Sequence, residues 1–154
     1  MLRAVDTFTT DERQRWMSIL AKAALEHLER GIAAQGSHAF SWLRRPETGL
    51  MMVRGRVGGT GDRFNFGEVT VTRCTLRTAS GATGVAYIQG RSHRKAELAA
   101  LADALMQDAV TREAVEAAII EPARRDLEAG AERLRRRAQA TRVEFFTVAR
   151  EAGA

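Results

Sequence analysis

The stretch from Arg56 to Phe66 contains the residue types of an anion-binding loop, with three glycines and a threonine between Arg56 and Arg63. Glycine tolerates positive φ and lets backbone N–H groups approach a ligand, while a flanking arginine can bind phosphate or carboxylate through two parallel hydrogen bonds. The same spacing is typical of an ordinary hairpin turn. From the residues alone, both interpretations stand.

The basic charge of the chain is concentrated around this stretch. The formal net charge is +5, from 24 basic and 19 acidic residues, and residues 38–94 carry nine arginines against three acids, a net of +6. The partner of this segment is therefore expected to be acidic. The chain has only two lysines. Its preference for arginine favours bidentate recognition, or it reflects a GC-rich genome.

Size and composition favour one compact domain over residues 1–154, since 45% of the residues are hydrophobic and 28% are charged. Cys74 is the single cysteine, which excludes an internal disulfide, and its mid-strand position favours a small buried hydrophobe over a nucleophile. There is no run of about 18 apolar residues and no basic-then-apolar leader. We therefore expect a cytoplasmic protein that does not enter a membrane.

The N-terminal part predicts helix. Thr10 is a suitable N-cap, and Asp11 and Glu12 follow where the helix dipole favours negative charge. Apolar residues at helical spacing predict a helix from about 11 to 23, and the pattern continues to Ile32 before glycines weaken it. One long helix and two short ones are both compatible with this pattern.

The central part predicts a four-stranded antiparallel meander. Residues alternate in polarity or are rich in β-branched types, and turn chemistry separates the runs at 46–49 and 79–82. Gly67 suggests a bulge. The predicted strands are residues 38–45, 50–57, 64–78 and 84–90.

Helices are predicted again after Ser92, which can cap a helix with a regular apolar face through Leu98 and Leu105. A further helix begins near Thr111, and Pro122 is expected to end or kink it. Residues 123–150 start with a highly charged helix that has a narrow apolar line, and they end in two phenylalanines at 145 and 146. This segment is expected to pack along its own domain or to extend onto a partner. The fold class is therefore α+β, with N-terminal helices, a central meander and C-terminal helices.

Known catalytic motifs are mostly absent from the sequence. The glycine stretch lacks the Gly-Lys-Ser/Thr ending of a P-loop and the strand-to-helix setting of a dinucleotide fingerprint. The three histidines have no metal-ligand spacing, so no metal is predicted. Asp103 and Asp108, both on helices, are expected to be solvated.

Short motifs spread over residues 13–150 resemble the PhnG family of the bacterial carbon-phosphorus lyase system. Their order and spacing, rather than any single piece, carry the resemblance. After Gln-Gly-Arg the family commonly has aspartate where this chain has Ser92, and either residue can cap a helix. The matching residues are Arg13-Gln14, Trp16-Met17-Ser18, Leu20-Ala21, Glu47-Thr48-Gly49-Leu50, Arg56, Gly58-Gly-Thr-Gly61, Arg63-Phe64, Thr72-Arg73, Gln89-Gly90-Arg91, Ala96-Glu97, Asp103-Ala-Leu-Met-Gln107, Arg142-Val143 and Phe145-Phe146-Thr147.

The resemblance implies a single PhnG-like domain that works in a complex. That complex displaces adenine from C1′ of ATP with a phosphonate, giving α-D-ribose 1-methylphosphonate 5-triphosphate in organophosphonate catabolism. ATP is then a co-substrate of the complex, and no cofactor is expected on this chain. The implied partners are PhnI, PhnH, PhnL and PhnJ, with the nucleosidase-like chemistry in PhnI.

Three hypotheses follow for the role of the arginine-rich segment. In the first, four arginines and the amides of residues 58–61 complete an anionic substrate site or hold a partner's acidic loop beside it; the arginines are Arg56, Arg63, Arg73 and Arg91. In the second, the same arginines bind acidic side chains of PhnI in a purely structural adaptor. The third and weakest is a nucleic-acid-binding module, and the low aromatic content of 6% argues against it. Exposed surfaces awaiting partners predict self-association of the isolated chain. The candidate substrate-binding or partner-binding residues are Arg56, Gly58, Gly59, Thr60, Gly61, Arg63, Arg73, Gln89 and Arg91.

Overall fold

The computed structural model describes residues 8–142, which form an α+β fold with helices before and after an antiparallel sheet. This confirms the predicted class and the order of its parts. A 3-10 turn at Val57–Gly59 joins the first two strands, and a π-helical turn at Glu116–Ile120 joins the last two helices. The elements are α1 (Thr10–Lys22), α2 (Leu25–Ala34), β1 (Phe40–Arg56), β2 (Arg63–Thr78), β3 (Thr83–Gln89), α3 (His93–Met106), α4 (Ala109–Val115) and α5 (Glu121–Ala140).

The N-terminal helical segment consists of two short helices, because the backbone is extended at Ala23 and Ala24. The cap of α1 is Thr9 rather than the predicted Thr10. Thr9 Oγ1 accepts from the amide of Glu12 at 3.2 Å, and the Glu12 carboxylate accepts from the amide of Thr9 at 2.7 Å. Such a reciprocal capping box satisfies two N–H groups that the first helical turn leaves unpaired.

Replacing Thr9 with alanine is expected to cost about 1 kcal/mol of unfolding free energy, because the hydroxyl acceptor is lost. The Thr9 amide and hydroxyl donate to Glu12 and lower the pKa of its carboxyl from 4.5. The ionised form is therefore favoured in the folded chain, so this stabilisation is present above pH 4.5 and is lost as the pH falls through the lowered pKa. Urea denaturation at pH 7 and pH 3 measures both effects, and an equal Thr9→Ala penalty at the two pH values would contradict the role of the carboxylate.

The sheet has three strands in the order β1-β2-β3, all antiparallel, so the prediction of four strands is wrong. The first two predicted strands are one strand, β1, which runs through the predicted turn at 46–49. Register shifts near Arg44 and before Glu47 absorb the turn-forming residues. Proline has no backbone N–H to donate to a neighbouring strand. Because β1 is an edge strand with one unpaired side, it can contain Pro46.

The predicted bulge near Gly67 is confirmed. Val53 faces Gly67 across the ladder, but Arg54 faces Asn65, so Phe66 is an extra residue in β2. The connection at 79–82 between β2 and β3 also follows the prediction.

The core is built around α3, which packs against β2 and β3 of the sheet and against the helices α1, α2 and α4. Residues 98–106 of α3 are all buried, rather than only the predicted apolar face. The close approach of β3 to α3 depends on Gly84, where a Cβ would overlap the carbonyl oxygen of Ala100.

The C-terminal helices leave the core after the π-helical turn. Asp108 caps α4, which begins at Ala109, two residues before the predicted start at Thr111. Pro122 lies in the first turn of α5, directly after the π-helical turn, and the backbone is right-handed helical at Ile120 and Glu121 before it, so the proline does not end the helical run. Within α5 only Ala123 is buried, and Leu134 is 69% exposed. The two phenylalanines at 145 and 146 lie outside the described residues.

Candidate functional site

The candidate loop lies at the end of a two-stranded β-ribbon, which we call the arm and define as residues 49–70. β3 pairs with β2 only from Val71 to Arg77, so the arm extends past the last strand of the sheet. Every residue from 49 to 68 is exposed or half-buried. A ribbon of two strands is marginally stable alone in water, so the arm is expected to need a covering surface.

The tip of the arm is the glycine-rich turn that the sequence predicts as a loop. Gly58 and Gly59 have positive φ, at 59° and 79°, which residues with a Cβ rarely adopt. The amides of Thr60 and Gly61 both donate to the carbonyl oxygen of Val57. The turn itself therefore uses two of the four amides proposed to face an anion.

One face of the arm concentrates positive charge. Arg56 and Arg63 are direct cross-strand partners, and Arg54 lies on the same face opposite Asn65. The Arg56 guanidinium donates to the carbonyl oxygen of Gly61 at 3.3 Å, and within residues 8–142 none of these three arginines has a carboxylate within 4.0 Å. Like charges directly opposite each other on a sheet are destabilising. An external anion would relieve this repulsion.

The other face of the arm is apolar, and the bulge creates it. If β2 paired with β1 without a bulge, strict alternation would place Phe64 and Phe66 on the face of Glu68. Because of the bulge, both phenylalanines join Val69 on the face of Met51 and Val53. The two phenylalanine rings contact edge to face, with centroids 6.3 Å apart. Phe66 is 75% exposed, Phe64 43% and Met51 46%. Exposed apolar side chains grouped in this way mark a surface that binds another molecule.

The remaining candidate residues lie at the base of the sheet, away from the tip. Arg73 is ten residues from Arg63 along β2, roughly 33 Å at 3.3 Å per residue. Gln89 ends β3 opposite Val71, and Arg91 follows on the surface. The structure thus divides the nine candidates into a tip group of six and a base group of three.

Arg73 is already paired within the chain. Its Nη1 donates to the Tyr87 hydroxyl at 3.1 Å and its Nε to Glu47 Oε1 at 2.7 Å, and both bonds raise the pKa of Arg73. Arg44 also bonds the Glu47 carboxylate. The charge of Arg73 is therefore balanced inside the sheet, unlike the charges at the tip.

A buried polar network that the sequence did not reveal is centred on Asp103. Its side chain is fully buried, which overturns the expectation of a solvated residue. Arg13 Nη2 donates to Oδ2 at 2.7 Å and Trp16 Nε1 to Oδ1 at 2.8 Å, and the amide of Val85 donates to Oδ2 at 2.9 Å. One carboxylate thus joins α1, β3 and α3. The sequence signal that could have identified this network is Asp103 itself, a single acidic residue in the otherwise apolar run at 98–106.

The other titratable groups of the described residues do not form a second candidate site. Burial raises the pKa of the Cys74 thiol to about 12, so the thiol stays protonated and unreactive near neutral pH. His93 Nε2 lies 3.1 Å from Thr48 Oγ1, and His27 Nε2 lies 2.6 Å from Asp126. Within residues 8–142, no group of three or more His, Cys, Asp or Glu side chains is placed to hold a metal ion.

None of the described helices is long and apolar enough to cross a bilayer.

Comparison with known proteins bears on both the arm and the buried network. The sequence model of the family described as phosphonate metabolism protein PhnG matches residues 11–151. The chain belongs to the PhnG family. A relative from Rhizobium meliloti (strain 1021) is 43% identical over 140 residues, covering 90% of this chain and 89% of the relative. That relative is named alpha-D-ribose 1-methylphosphonate 5-triphosphate synthase subunit PhnG.

The PhnG match spans the entire arm, the base of the sheet and the Asp103 network. It therefore confirms the resemblance of the sequence motifs as family membership. The individual roles of the nine candidate residues stay predictions.

Proposed function

We propose that this chain is a subunit of the complex that makes α-D-ribose 1-methylphosphonate 5-triphosphate from ATP and a phosphonate in organophosphonate catabolism. The reaction belongs to the whole complex, a transferase in which phosphonate replaces adenine, and ATP is its co-substrate. This chain has an accessory or site-completing role and is inactive alone. The name of the Rhizobium meliloti relative and the family match support the assignment.

The two-faced arm is the observation that carries the role of this chain in that complex. Its apolar face suits burial against another subunit, while the opposite face presents Arg54, Arg56 and Arg63 without an acidic partner in the described chain. Docking through the apolar face would hold those arginines at a fixed place on the partner. A subunit could complete an anionic site in this way without supplying the reacting groups.

The chemistry of the reaction explains why such arginines would help. A phosphonate anion must approach a triphosphate that carries about four negative charges at neutral pH, so nearby positive groups lower the barrier. Arg56 and Arg63 lie on the same face at the end of the arm, where both can turn toward one anion. The tip group suits this task better than Arg73, whose charge Glu47 balances.

The alternative is a purely structural adaptor, in which the same arginines bind acidic side chains of a partner. The exposure of Phe66 favours docking and is compatible with both roles. We propose PhnI, PhnH, PhnJ and PhnL as the partners and the cytoplasm as the compartment. Nucleic acid is disfavoured as a ligand, because Phe64 and Phe66 lie on the face opposite the arginines and so do not alternate with them as stacking platforms.

Changing Arg56 and Arg63 together to alanine separates the site-completing role from the adaptor role. With this chain co-expressed with PhnI, PhnH and PhnL, we expect the complex to assemble while adenine release falls by about 100-fold or more, since one well-placed electrostatic group contributes roughly that factor. The measurements are co-purification and adenine release from ATP in the presence of methylphosphonate.

The matched control is the double lysine variant, Arg56→Lys with Arg63→Lys, which keeps the charge and removes the bidentate fork. Partial recovery of adenine release in this variant supports charge stabilisation at the site. Failure of the alanine variant to co-purify supports the adaptor instead. Normal assembly with normal turnover would refute both roles for the tip arginines.

A further inference from the structure

The outer edge of β2 is unpaired along the arm. β3 ends at Gln89, and Gly90, with φ of 96°, turns the chain away toward α3. The last backbone contact on this edge is the amide of Gly90 donating to the carbonyl oxygen of Thr70 at 2.8 Å. Within the described part of the chain, no strand covers this edge between Arg63 and Val69.

Strand geometry identifies which backbone groups are free. Because Thr70 turns its carbonyl toward the β3 side, alternation directs the amide and carbonyl of Glu68 toward the same side, past the end of β3. The backbone of β3 shows the same alternation, since the amide of Val85 points away from β2 and donates to Asp103. Glu68 therefore presents unpaired backbone groups on an open edge, the usual template for strand addition.

The two faces of the arm define the side chains that an added strand needs. On one side of such a strand, residues would lie beside Val69, Phe66 and Phe64 and must be apolar. On the other side, residues would lie beside Arg63, Asn65 and Glu68. A carboxylate beside Arg63 relieves the repulsion between Arg56 and Arg63, whereas the residue beside Glu68 must not be acidic. A strand with apolar residues on one face and an acidic residue beside Arg63 satisfies both faces and the edge together.

Other occupants satisfy fewer of these requirements. A free polyanion would contact the arginine face but leave the phenylalanines and the open edge in water. A second copy of this chain, paired edge to edge through a two-fold axis perpendicular to the sheet, would place two arginine faces side by side. Each of these faces carries three arginines against the single carboxylate of Glu68, so the excess positive charge would stay uncompensated.

We propose that a partner subunit adds an extended strand to β2 between Arg63 and Val69, with apolar residues on one face and an acidic residue beside Arg63, continuing the line of β3. This inference rests on the proposed function, since it specifies how the arm docks within the synthase complex. The mode is β-augmentation, in which backbone hydrogen bonds provide affinity and alternate side chains provide specificity.

The test compares Glu68→Pro with Glu68→Thr in the co-expressed complex. Both variants remove the carboxylate, but only proline removes the outward N–H and places a ring on the edge. Gly67 precedes this position and tolerates a following proline, and thermal melting of each isolated variant verifies the fold. We expect Glu68→Pro to weaken partner binding about tenfold or more, and Glu68→Thr to retain binding within about twofold.

Hydrogen exchange gives a second measurement on the unmodified chain. The amide of Glu68 should exchange at least tenfold more slowly in the complex than in the isolated chain. Normal binding of both variants, or equal loss in both, would overturn strand addition. Slow exchange at Glu68 in a dimer of the isolated chain would overturn it in favour of a second copy.

The variant Phe66→Ser distinguishes failure of this inference from failure of the proposed function. If Phe66→Ser prevents assembly while Glu68→Pro assembles normally, the arm docks by its apolar face and strand addition is wrong. If Phe66→Ser also assembles normally, the arm is not a docking element and the proposed role of this chain is refuted with it.

Discussion

Replacing Asp103 with asparagine is expected to lower the free energy of unfolding by about 3 kcal/mol, as the breaking of a buried ion pair does. Oδ1 accepts from Arg13 Nε and Trp16 Nε1, and Oδ2 accepts from Arg13 Nη2, the amide of Val85 and Gln107. An asparagine amide group must direct its NH₂ at one of these sets of donors, whichever way it turns. The replacement therefore leaves Arg13 without its charge partner and forces donors against donors.

Urea denaturation of the isolated chain measures this loss, with Asp108→Asn as the matched control. Asp108 caps α4 and its carboxylate accepts from the amide of Val110 at 3.0 Å, a role that asparagine fills about as well. We expect the control to change the unfolding free energy by less than about 0.5 kcal/mol. Equal effects of the two substitutions would show that the Asp103 network contributes little.

Replacing Gly84 with alanine is expected to destabilise the chain by about 3 kcal/mol, at the upper end of the range for overpacking a core. The new Cβ would overlap the carbonyl oxygen of Ala100 and approach the Ala104 side chain within 3.0 Å. Because the obstacle is helix backbone, it can be relieved only by moving β3 away from α3. That movement would also lengthen the bond between the Val85 amide and Asp103.

The control for this substitution is Gly49→Ala in β1. No heavy atom lies within 4 Å of a Cβ built at Gly49, and its φ is not positive. We expect it to be neutral or slightly stabilising, because alanine restricts the unfolded chain. Thermal melting of both variants measures the difference, and a Gly84→Ala melting temperature equal to that of Gly49→Ala would refute the steric argument.

Local patterns in the sequence predicted most of the elements. Helical spacing located α1 and α3, and alternation with β-branched residues located β2 and β3, because these patterns reflect burial on one face. The turn predicted from Pro46 to Gly49 was wrong, because the local sequence does not show which residues pair with this segment. Its residues favour a turn in isolation, but an edge strand with register shifts accommodates them.

The sequence indicated which residue types form the candidate site, but it did not show which of those residues lie close together. It singled out Arg56 and Arg63 with the glycines between them, and the structure places them together at the tip of the arm. The sequence prediction grouped Arg73 with them, although Arg73 lies ten positions beyond Arg63 along the extended strand β2. Asp103 was missed because its partners come from α1 and β3, which contact α3 only in the folded chain.

The extra residue at Phe66 has a consequence for how the arm can vary in length. Side chains alternate strictly along a strand, so a ladder that paired every residue here in turn would place both phenylalanines on the arginine face. Deleting Gly67 would remove the bulge while the pairs on both sides of it stayed in register, so both phenylalanines would remain on the apolar face. Deleting Asn65 instead would remove the bulge and turn Phe66 onto the arginine face. The separation of the two faces therefore depends on which residue near the bulge is lost, and not only on how many.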